Sequence, residues 1–101
     1  MTLNEILKGK AREDFIYYVI NHPNCTYTMF WFESLPVECQ FGVIQDWGDH
    51  IGFSISVFKR PYDFAFTFYG SNQISGGFKG GKEAQIEAVK QLVEIYNNKK
   101  S

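Results

Sequence analysis

The chain has 101 residues, a net charge of −1 and an isoelectric point near 6.1. Apolar residues make up 45% of it and charged residues 21%, which is typical of a folded domain and argues against disorder. This length predicts one domain over residues 1–101. The lack of a basic balance argues against nonspecific nucleic-acid binding.

Nothing in the sequence predicts export or membrane insertion. No apolar run reaches the length of a transmembrane helix, and the N-terminus lacks the basic start and apolar core of a signal peptide. Cys25 and Cys39 do not form a Cys-x-x-Cys pair, so two reduced thiols are the simplest interpretation, with one disulfide between them as the alternative. We therefore expect a cytoplasmic protein with no membrane partner.

The first third of the chain predicts two helical segments and then a strand. Residues 3–7 suit a short helical turn. Residues 11–21 place four apolar side chains on one helical side, although residues 15–20 also suit a buried strand; these four are Phe15, Ile16, Val19 and Ile20. Pro23 ends this segment. Residues 25–32 are rich in Thr, Tyr, Phe and Trp, a composition that predicts a strand.

Residues 34–48 suit either a helix or a strand. Apolar residues alternate at the start of the segment as in a strand, yet Val37, Phe41, Ile44 and Trp47 recur at helical spacing. Ser34 as a cap, Pro36 in the first turn and Gly48 as a stop favour the helix. We predict a helix here, although an internal Gly42 costs it about 1 kcal/mol.

Residues 51–69 predict a β-hairpin. Two runs of alternating residues flank the turn-forming residues 59–63. One predicted face is apolar and consists of Phe53, Ile55, Val57, Phe64, Phe66 and Phe68. The other predicted face carries Ser54, Ser56 and Thr67, and we expect it to meet solvent.

The glycine-rich segment 76–82 has the spacing of a phosphate-binding loop, Gly-x-x-x-x-Gly-Lys. The next position in such a loop is Ser or Thr, but here Glu83 would repel phosphate oxygens. The chain is also too short for the parallel sheet that this loop requires. We interpret the segment as a mobile connector, with Gly80 or Gly81 capping a closing helix.

The closing helix has the clearest pattern in the chain. Its predicted apolar stripe consists of Ile86, Ala88, Val89, Leu92, Val93, Ile95 and Tyr96. Its predicted solvent face consists of Gln85, Glu87, Lys90, Gln91 and Glu94. Glu83 falls in the first turn, where the helix dipole favours a negative charge. Residues 97–98 are the predicted stop, with Lys99 and Lys100 just beyond it.

Together these elements predict an α+β fold. It consists of an antiparallel sheet of three or four strands, a C-terminal amphipathic helix packed across one face, and one or two further helices. The aromatic share of 18% is high, and bulky rings are a means by which a short chain fills its core. An exposed cluster of rings for a binding partner is the alternative interpretation.

Two stretches, residues 34–47 and 82–97, resemble small α+β proteins of bacterial, phage and mobile-element genomes. The last helix of such proteins opens on Glu-Ala and ends near Tyr-Asn, as Glu83-Ala84 and Tyr96-Asn97 do here. A Ser or Thr cap is expected before that helix, where this chain has Gly80-Gly81. The resemblance implies a cytosolic accessory role and carries over no site residue.

A second resemblance concerns topology. If residues 34–48 were a strand, the order of helix, strands and helix would be similar to a double-stranded RNA-binding domain. Residues 48–50 and 79–84 would then lie near that family's RNA contacts. That family's last helix opens with clustered lysines, whereas Lys82 is followed here by Glu83 and Glu87.

The sequence offers few candidates for catalysis. Asp46, Asp49 and His50 cluster around a tryptophan and could form an acid–base pair or part of a metal site, but exposed polar residues at a helix end are the expected interpretation. His22 lies in a turn. Cys39 with a distant His50 has no local signature of a nucleophile and its base. We expect no enzyme activity and no cofactor.

Four basic residues are the candidate partner-binding site, provided that two loops meet: Lys59, Arg60, Lys79 and Lys82. The size, charge and aromatic content favour a non-enzymatic accessory or regulatory protein whose partner is another protein. An RNA-binding module is the alternative. The sequence indicates no oligomeric state.

Overall fold

The computed structural model of the protein describes residues 3–21, 29–69 and 73–100. The helices in these ranges are α1 (Leu3–Ile6), α2 (Gly9–Ile20), α3 (Met29–Ser34), α4 (Val37–Ile51) and α5 (Gly81–Lys100). The strands are β1 (Ile55–Lys59), β2 (Phe64–Phe68) and β3 (Ser75–Phe78). This is the α+β fold that the sequence predicts, with its closing helix packed on an antiparallel sheet. Four further helices precede the sheet in the described ranges, where the sequence predicts one or two.

The first two helices form as predicted. Between them, Gly9 adopts a positive φ of 65°, which glycine tolerates and which lets the chain change direction. Residue 8 offers no side-chain cap to α2. Instead, Asn97 of α5 accepts a hydrogen bond from the Ala11 amide (2.8 Å) and donates one to the Lys8 carbonyl (3.0 Å). An amide from a distant helix therefore caps the start of α2.

The strand prediction for residues 25–32 is wrong where the structure describes them. Residues 25–28 lie outside the described ranges, and Met29 begins α3. Phe32 is fully buried and packs edge-to-face on Phe15, with ring centroids 5.0 Å apart. The Ser34 hydroxyl donates to the Trp31 carbonyl (2.6 Å) at the end of α3. Tertiary contacts override strand propensity here.

The predicted helix over residues 34–48 is confirmed as α4, but both of its boundaries differ. Ser34 belongs to α3 and does not cap α4, which begins directly after Pro36. Gly48 lies inside α4 and is not its stop. Beyond the helix end the chain folds back on it, and the Phe53 amide donates to the Gly48 carbonyl at 2.7 Å. The stop is Gly52, whose left-handed φ of 90° suits glycine.

The sheet has the strand order β1-β2-β3, and both neighbouring pairs are antiparallel. The hairpin register pairs Val57 with Phe66, so the predicted apolar residues of β1 and β2 share one face. That face packs against α5, as predicted. On the opposite face Ser56 is exposed, whereas Ser54 and Thr67 are half-buried. β3 forms within the segment that the sequence predicts to be a connector.

α5 closes the fold. It contacts all three strands and also α1, α2 and α4. The predicted apolar stripe is confirmed, since the residues buried along α5 are Ala84, Ala88, Val89, Leu92, Val93 and Tyr96. The predicted stop at residues 97–98 is wrong because α5 continues to Lys100. No helix in the described ranges is both long and apolar enough to cross a membrane.

Candidate functional site

A groove opens where the N-terminal half of α4 and the first turns of α5 flank the free side of β1. Its volume is about 450 Å³. Its lining residues are Glu38, Phe41, Gly42 and Gln45 of α4, Val57, Phe58 and Lys59 of β1, Phe64 of β2, and Gly81 and Gln85 of α5. We call this cavity the β1 groove. Its lining combines apolar side chains with the Glu38 carboxylate, the Lys59 ammonium and two side-chain amides.

The outer edge of β1 faces this groove. Two backbone hydrogen bonds mark the ends of the pairing between β1 and β2. The Tyr69 amide donates to the Ser54 carbonyl and the Arg60 amide donates to the Asp63 carbonyl, each at 2.8 Å. In an antiparallel pair, residues alternate between bonding across the pair and pointing their N–H and C=O groups away from it. The even-numbered residues of β1 therefore bond to β2, and the odd-numbered ones point outward.

One outward group of β1 is already occupied. The Ile55 carbonyl accepts a hydrogen bond from the side-chain amide of Gln45 (2.9 Å), which confirms the direction of the alternation. Within the described ranges, the outward N–H and C=O groups of Val57 and Lys59 have no hydrogen-bond partner. Two consecutive outward positions of this sheet edge are thus open.

Gly42 of α4 leaves space beside this edge. A Cβ built on Gly42 would meet no atom within 4 Å, apart from its own helix backbone and its chain neighbours. Glycine inside a helix is less favourable than alanine by about 1 kcal/mol. No contact in the described structure therefore requires glycine at this position.

Gln85 brings an unpaired acceptor to the groove. Its Oε1 is buried and is the one such side-chain atom without a hydrogen-bond partner among the described residues. Leaving a buried acceptor unsatisfied costs about 1–3 kcal/mol. The sequence places Gln85 on the solvent face of α5. This prediction is wrong, because Gln85 is half-buried where α5 lies beside α4 and the sheet.

Charged groups lie at the mouth of the groove. Lys82 Nζ lies 3.1 Å from Glu38 Oε1, and both side chains are largely exposed. The pKa of Glu38 is lowered, first by a hydrogen bond from its own backbone amide at the start of α4 and then by Lys82. Lys59 is exposed at the end of β1.

The four predicted cations do not form a uniformly basic patch. Arg60 binds Asp63 through two hydrogen bonds, one of them 2.6 Å from Nε to Oδ1. Lys82 pairs with Glu38, whereas Lys59 and Lys79 are exposed. Two of the four positive charges are thus compensated by neighbouring carboxylates.

The two loops that carry these cations do meet. Asp63 Oδ2 accepts a hydrogen bond from the Gly77 amide of β3 (2.6 Å). The Arg60 guanidinium and then this amide lower the pKa of Asp63 to about 2. A Cβ at Gly76 would overlap the Arg60 guanidinium. Gly76 and Gly77 therefore allow the hairpin turn to pack closely against β3. They are not part of the mobile connector that the sequence predicts.

The phosphate-loop spacing of residues 76–82 has no phosphate-loop geometry. Gly76 and Gly77 belong to the antiparallel strand β3. Glu83 lies in the first turn of α5, as predicted, and accepts a hydrogen bond from the Lys79 amide (3.2 Å). A carboxylate therefore occupies the place where a bound phosphate would receive backbone hydrogen bonds.

The acidic and histidine candidates lie on the outside of α4. Asp46, Asp49 and His50 are all exposed, as expected for polar residues near a helix end. The His50 ring lies 5.3 Å from the ring of Tyr18. Burial raises the pKa of Tyr18, and the charges of Asp46 and Asp49 raise it further. Over the described ranges, no group of three His, Cys, Asp or Glu side chains could hold a metal ion.

Cys39 and His50, the described members of the remaining candidates, do not form a catalytic pair. Cys39 has an exposed thiol, and it lies eleven residues before His50 on α4, a distance of about 16 Å along the helix axis. His22 and Cys25 lie outside the described residues, and so does the alternative of a disulfide between Cys25 and Cys39.

The aromatic excess is divided between core and surface. The buried rings are Phe15, Phe32, Phe41, Trp47, Phe66 and Tyr96. The exposed rings of the described chain include Tyr17, Phe30, Tyr62 and Tyr69. The exposed ones belong to different elements, since Tyr62 is in the hairpin turn and Phe30 is on α3. Single exposed rings are common on protein surfaces, so they do not define a site as the β1 groove does.

Comparison of the chain with protein-family models, with curated protein sequences and with solved structures gave no match. The order helix, three antiparallel strands, helix is present from α4 to α5. It differs from the order on which the sequence resemblance depends, because residues 37–51 form the helix α4 and not a strand.

Proposed function

We propose that the protein is a non-enzymatic accessory or regulatory protein that binds another protein through the β1 groove. The observation that carries the proposal is the open edge of β1, whose outward groups at Val57 and Lys59 face a cavity lined by both apolar and polar side chains. Unpaired strand edges readily pair with other chains. A site with such an edge and without a catalytic constellation is typical of recognition.

The electrostatics favour a protein partner over RNA. Lys82 is paired with Glu38, and Glu83 lies beside Lys79 at the start of α5. Phosphate binding releases counterions and depends on uncompensated cations. The resemblance to small proteins of bacterial, phage and mobile-element genomes supports a cytoplasmic accessory role for such a binder.

Site-specific photo-crosslinking tests this proposal. A photoreactive amino acid is placed at Lys59, beside the groove, and in a matched control at Glu13, which is exposed on α2. We expect the Lys59 probe to crosslink a discrete protein in extracts of cells that produce the chain, and the Glu13 probe not to crosslink it. Equal labelling from both positions, or none from Lys59, would contradict the proposal.

Duplex RNA is the second arm of the same test. We expect no binding in fluorescence anisotropy at low salt. Salt-sensitive binding that weakens in Lys79→Ala and Lys82→Ala would instead identify an RNA-binding module, since both lysines lie where α5 begins.

A further inference from the structure

We propose that the β1 groove receives an extended segment of the partner protein, which adds a strand beside β1. This inference rests on the proposed function and specifies how the partner is recognised. Strand addition to an open sheet edge derives its affinity from main-chain hydrogen bonds and its specificity from pockets for alternate side chains.

The open edge defines the register of the added strand. Val57 and Lys59 are two residues apart, which is the repeat at which an antiparallel strand presents outward N–H and C=O groups. The side-chain amide of Gln45 donates a hydrogen bond to the Ile55 carbonyl, so the open part of the edge does not extend to Ile55. The incoming segment therefore pairs with Val57 and Lys59 and stops before Ile55.

The opposite edge of the sheet is less suited to this role. The register between β2 and β3 is irregular between Phe64 and Phe66, which disturbs the regular spacing of the edge. The β1 edge is regular over its five paired residues.

Gly42 provides the room that a second backbone needs. Neighbouring strands lie about 4.8 Å apart, so an added strand must run between β1 and α4. Gly42 lines this passage, and open space surrounds the position where its Cβ would be. A glycine that no internal contact requires is accounted for by the close approach of another backbone.

Side chains around the groove indicate the composition of the segment. Phe41, Val57 and Phe64 form an apolar lining that suits an apolar side chain. The buried Gln85 Oε1 requires a donor, which a backbone or side-chain N–H of the segment supplies. Lys59 is exposed at one end of the edge and favours an acidic residue. The segment is therefore extended and apolar, with an acidic residue near Lys59.

The experiment uses the full chain and a random peptide library displayed on phage. We expect enrichment of apolar peptides with an acidic residue. Binding of a selected peptide should slow hydrogen exchange of the Val57 and Lys59 amides at least tenfold and leave β3 unchanged. N-methylation of the peptide at the amides that pair with β1 should weaken binding at least tenfold, whereas N-methylation at the alternate amides should not.

Variants of the groove provide the second measurement. Gly42→Leu fills the passage, and we expect it to weaken peptide binding at least tenfold. Glu13→Leu adds the same side chain to an exposed site on α2 and should bind as the wild type does. If Gly42→Leu lowers the thermal stability, Gly42→Ala replaces it in the binding measurement, because alanine favours helix formation. Gly42→Ala should also weaken peptide binding.

Several results would overturn the inference. These are the absence of any enriched peptide, protection of β3 in place of β1, and unchanged affinity in both Gly42 variants. Concentration-dependent protection of Val57 and Lys59 in the protein alone would show that a second copy fills the groove. If the Lys59 probe crosslinks a protein while the peptide tests fail, the proposed function stands and the strand-addition mode is wrong.

Discussion

The two sides of α4 differ in how completely the chain fills the space beside them. On one side, Trp47 packs edge-to-face with Phe15 and Tyr96, with centroids 5.6 and 5.2 Å apart. On the other side, Gly42 faces the β1 groove, and the outward groups of Val57 and Lys59 are open. The same helix therefore closes the core and leaves a sheet edge accessible.

The two glycines of α4 show the same contrast. A Cβ at Gly48 would lie 2.7 Å from the Phe53 carbonyl oxygen, because the chain folds back against this point. A Cβ at Gly42 would meet nothing. One glycine is required by the packing of this chain, whereas the other is not. This difference distinguishes a structural constraint from a candidate binding feature.

The largest expected effect is at the closed side of α4. Trp47→Ala should lower the free energy of unfolding by about 3–5 kcal/mol, because it leaves a cavity among buried rings. Chemical denaturation measures the loss. Tyr62→Ala removes a fully exposed ring and should change stability by less than about 0.5 kcal/mol. Similar losses in both variants would contradict the assignment of the core.

Alanine substitution at the two glycines of α4 should change the free energy of unfolding in opposite directions. Gly48→Ala forces a Cβ against the backbone and should destabilise the protein by about 1–3 kcal/mol. Gly42→Ala should stabilise it by about 1 kcal/mol, because alanine is the better helix former. Thermal and urea unfolding of the two variants test this comparison directly. A loss of stability in Gly42→Ala would show that the passage beside α4 is not open.

Tyr96 connects the aromatic core to α2. Its hydroxyl donates to the Asp14 carboxylate. Burial, and then this hydrogen bond, raise the pKa of Tyr96 from 10.0 to about 12. The resulting stabilisation is present below pH 10 and is lost as the pH rises through about 12.

Tyr96→Phe tests this link. It should lower the free energy of unfolding by about 1 kcal/mol near neutral pH, because one partly buried hydrogen bond is lost. The difference from the wild type should shrink as the pH rises above 10. Urea unfolding across this pH range measures it, and a difference that stays constant would contradict the role of the phenol.

The smallest expected effect on stability is at Asp63, which lies in the turn beside the groove. Because its pKa is lowered from 3.8 to about 2, its contribution to stability is present above pH 4 and is lost as the pH falls through about 2. Asp63→Asn should have a lower melting temperature at neutral pH and a weaker acid dependence than the wild type. Calorimetry at several pH values measures both. Parallel pH profiles would contradict the assignment.

The sequence predicts the elements with a regular local pattern. The apolar stripe of α5 and the alternation in β1 and β2 each depend on a period that can be counted along the chain. They lead to the α+β class and to the packing of α5 on the sheet, both of which the structure confirms. The helical spacing of Val37 and Trp47 likewise predicts α4.

The errors arise where distant residues decide the outcome. Residues 29–32 have strand composition but form part of α3, where Phe32 packs on Phe15. Asn97 suits a helix end, yet it caps the start of α2 from within α5. Gln85 belongs to the solvent face by its period and becomes half-buried because α4 packs nearby.

The sequence predicts only part of the candidate site. Lys59 was among the predicted binding residues and lies on the β1 groove. The sequence indicates only that Gly42 is unfavourable inside a helix, and the structure shows the open space beside it. The carboxylate partners of Arg60 and Lys82 could not be predicted, because the Glu38–Lys82 pair joins two helices and the Arg60–Asp63 pair depends on the geometry of the turn.

The sequence by itself thus determined the class of fold, the closing helix and the apolar face of the hairpin, because local periodicity encodes which side of an element is apolar. Only the tertiary structure decided which glycine is packed, which sheet edge is open and which cations are compensated. These outcomes depend on how helices, strands and turns approach one another in space, as in the Glu38–Lys82 pair between two helices. No local period along the chain records that approach.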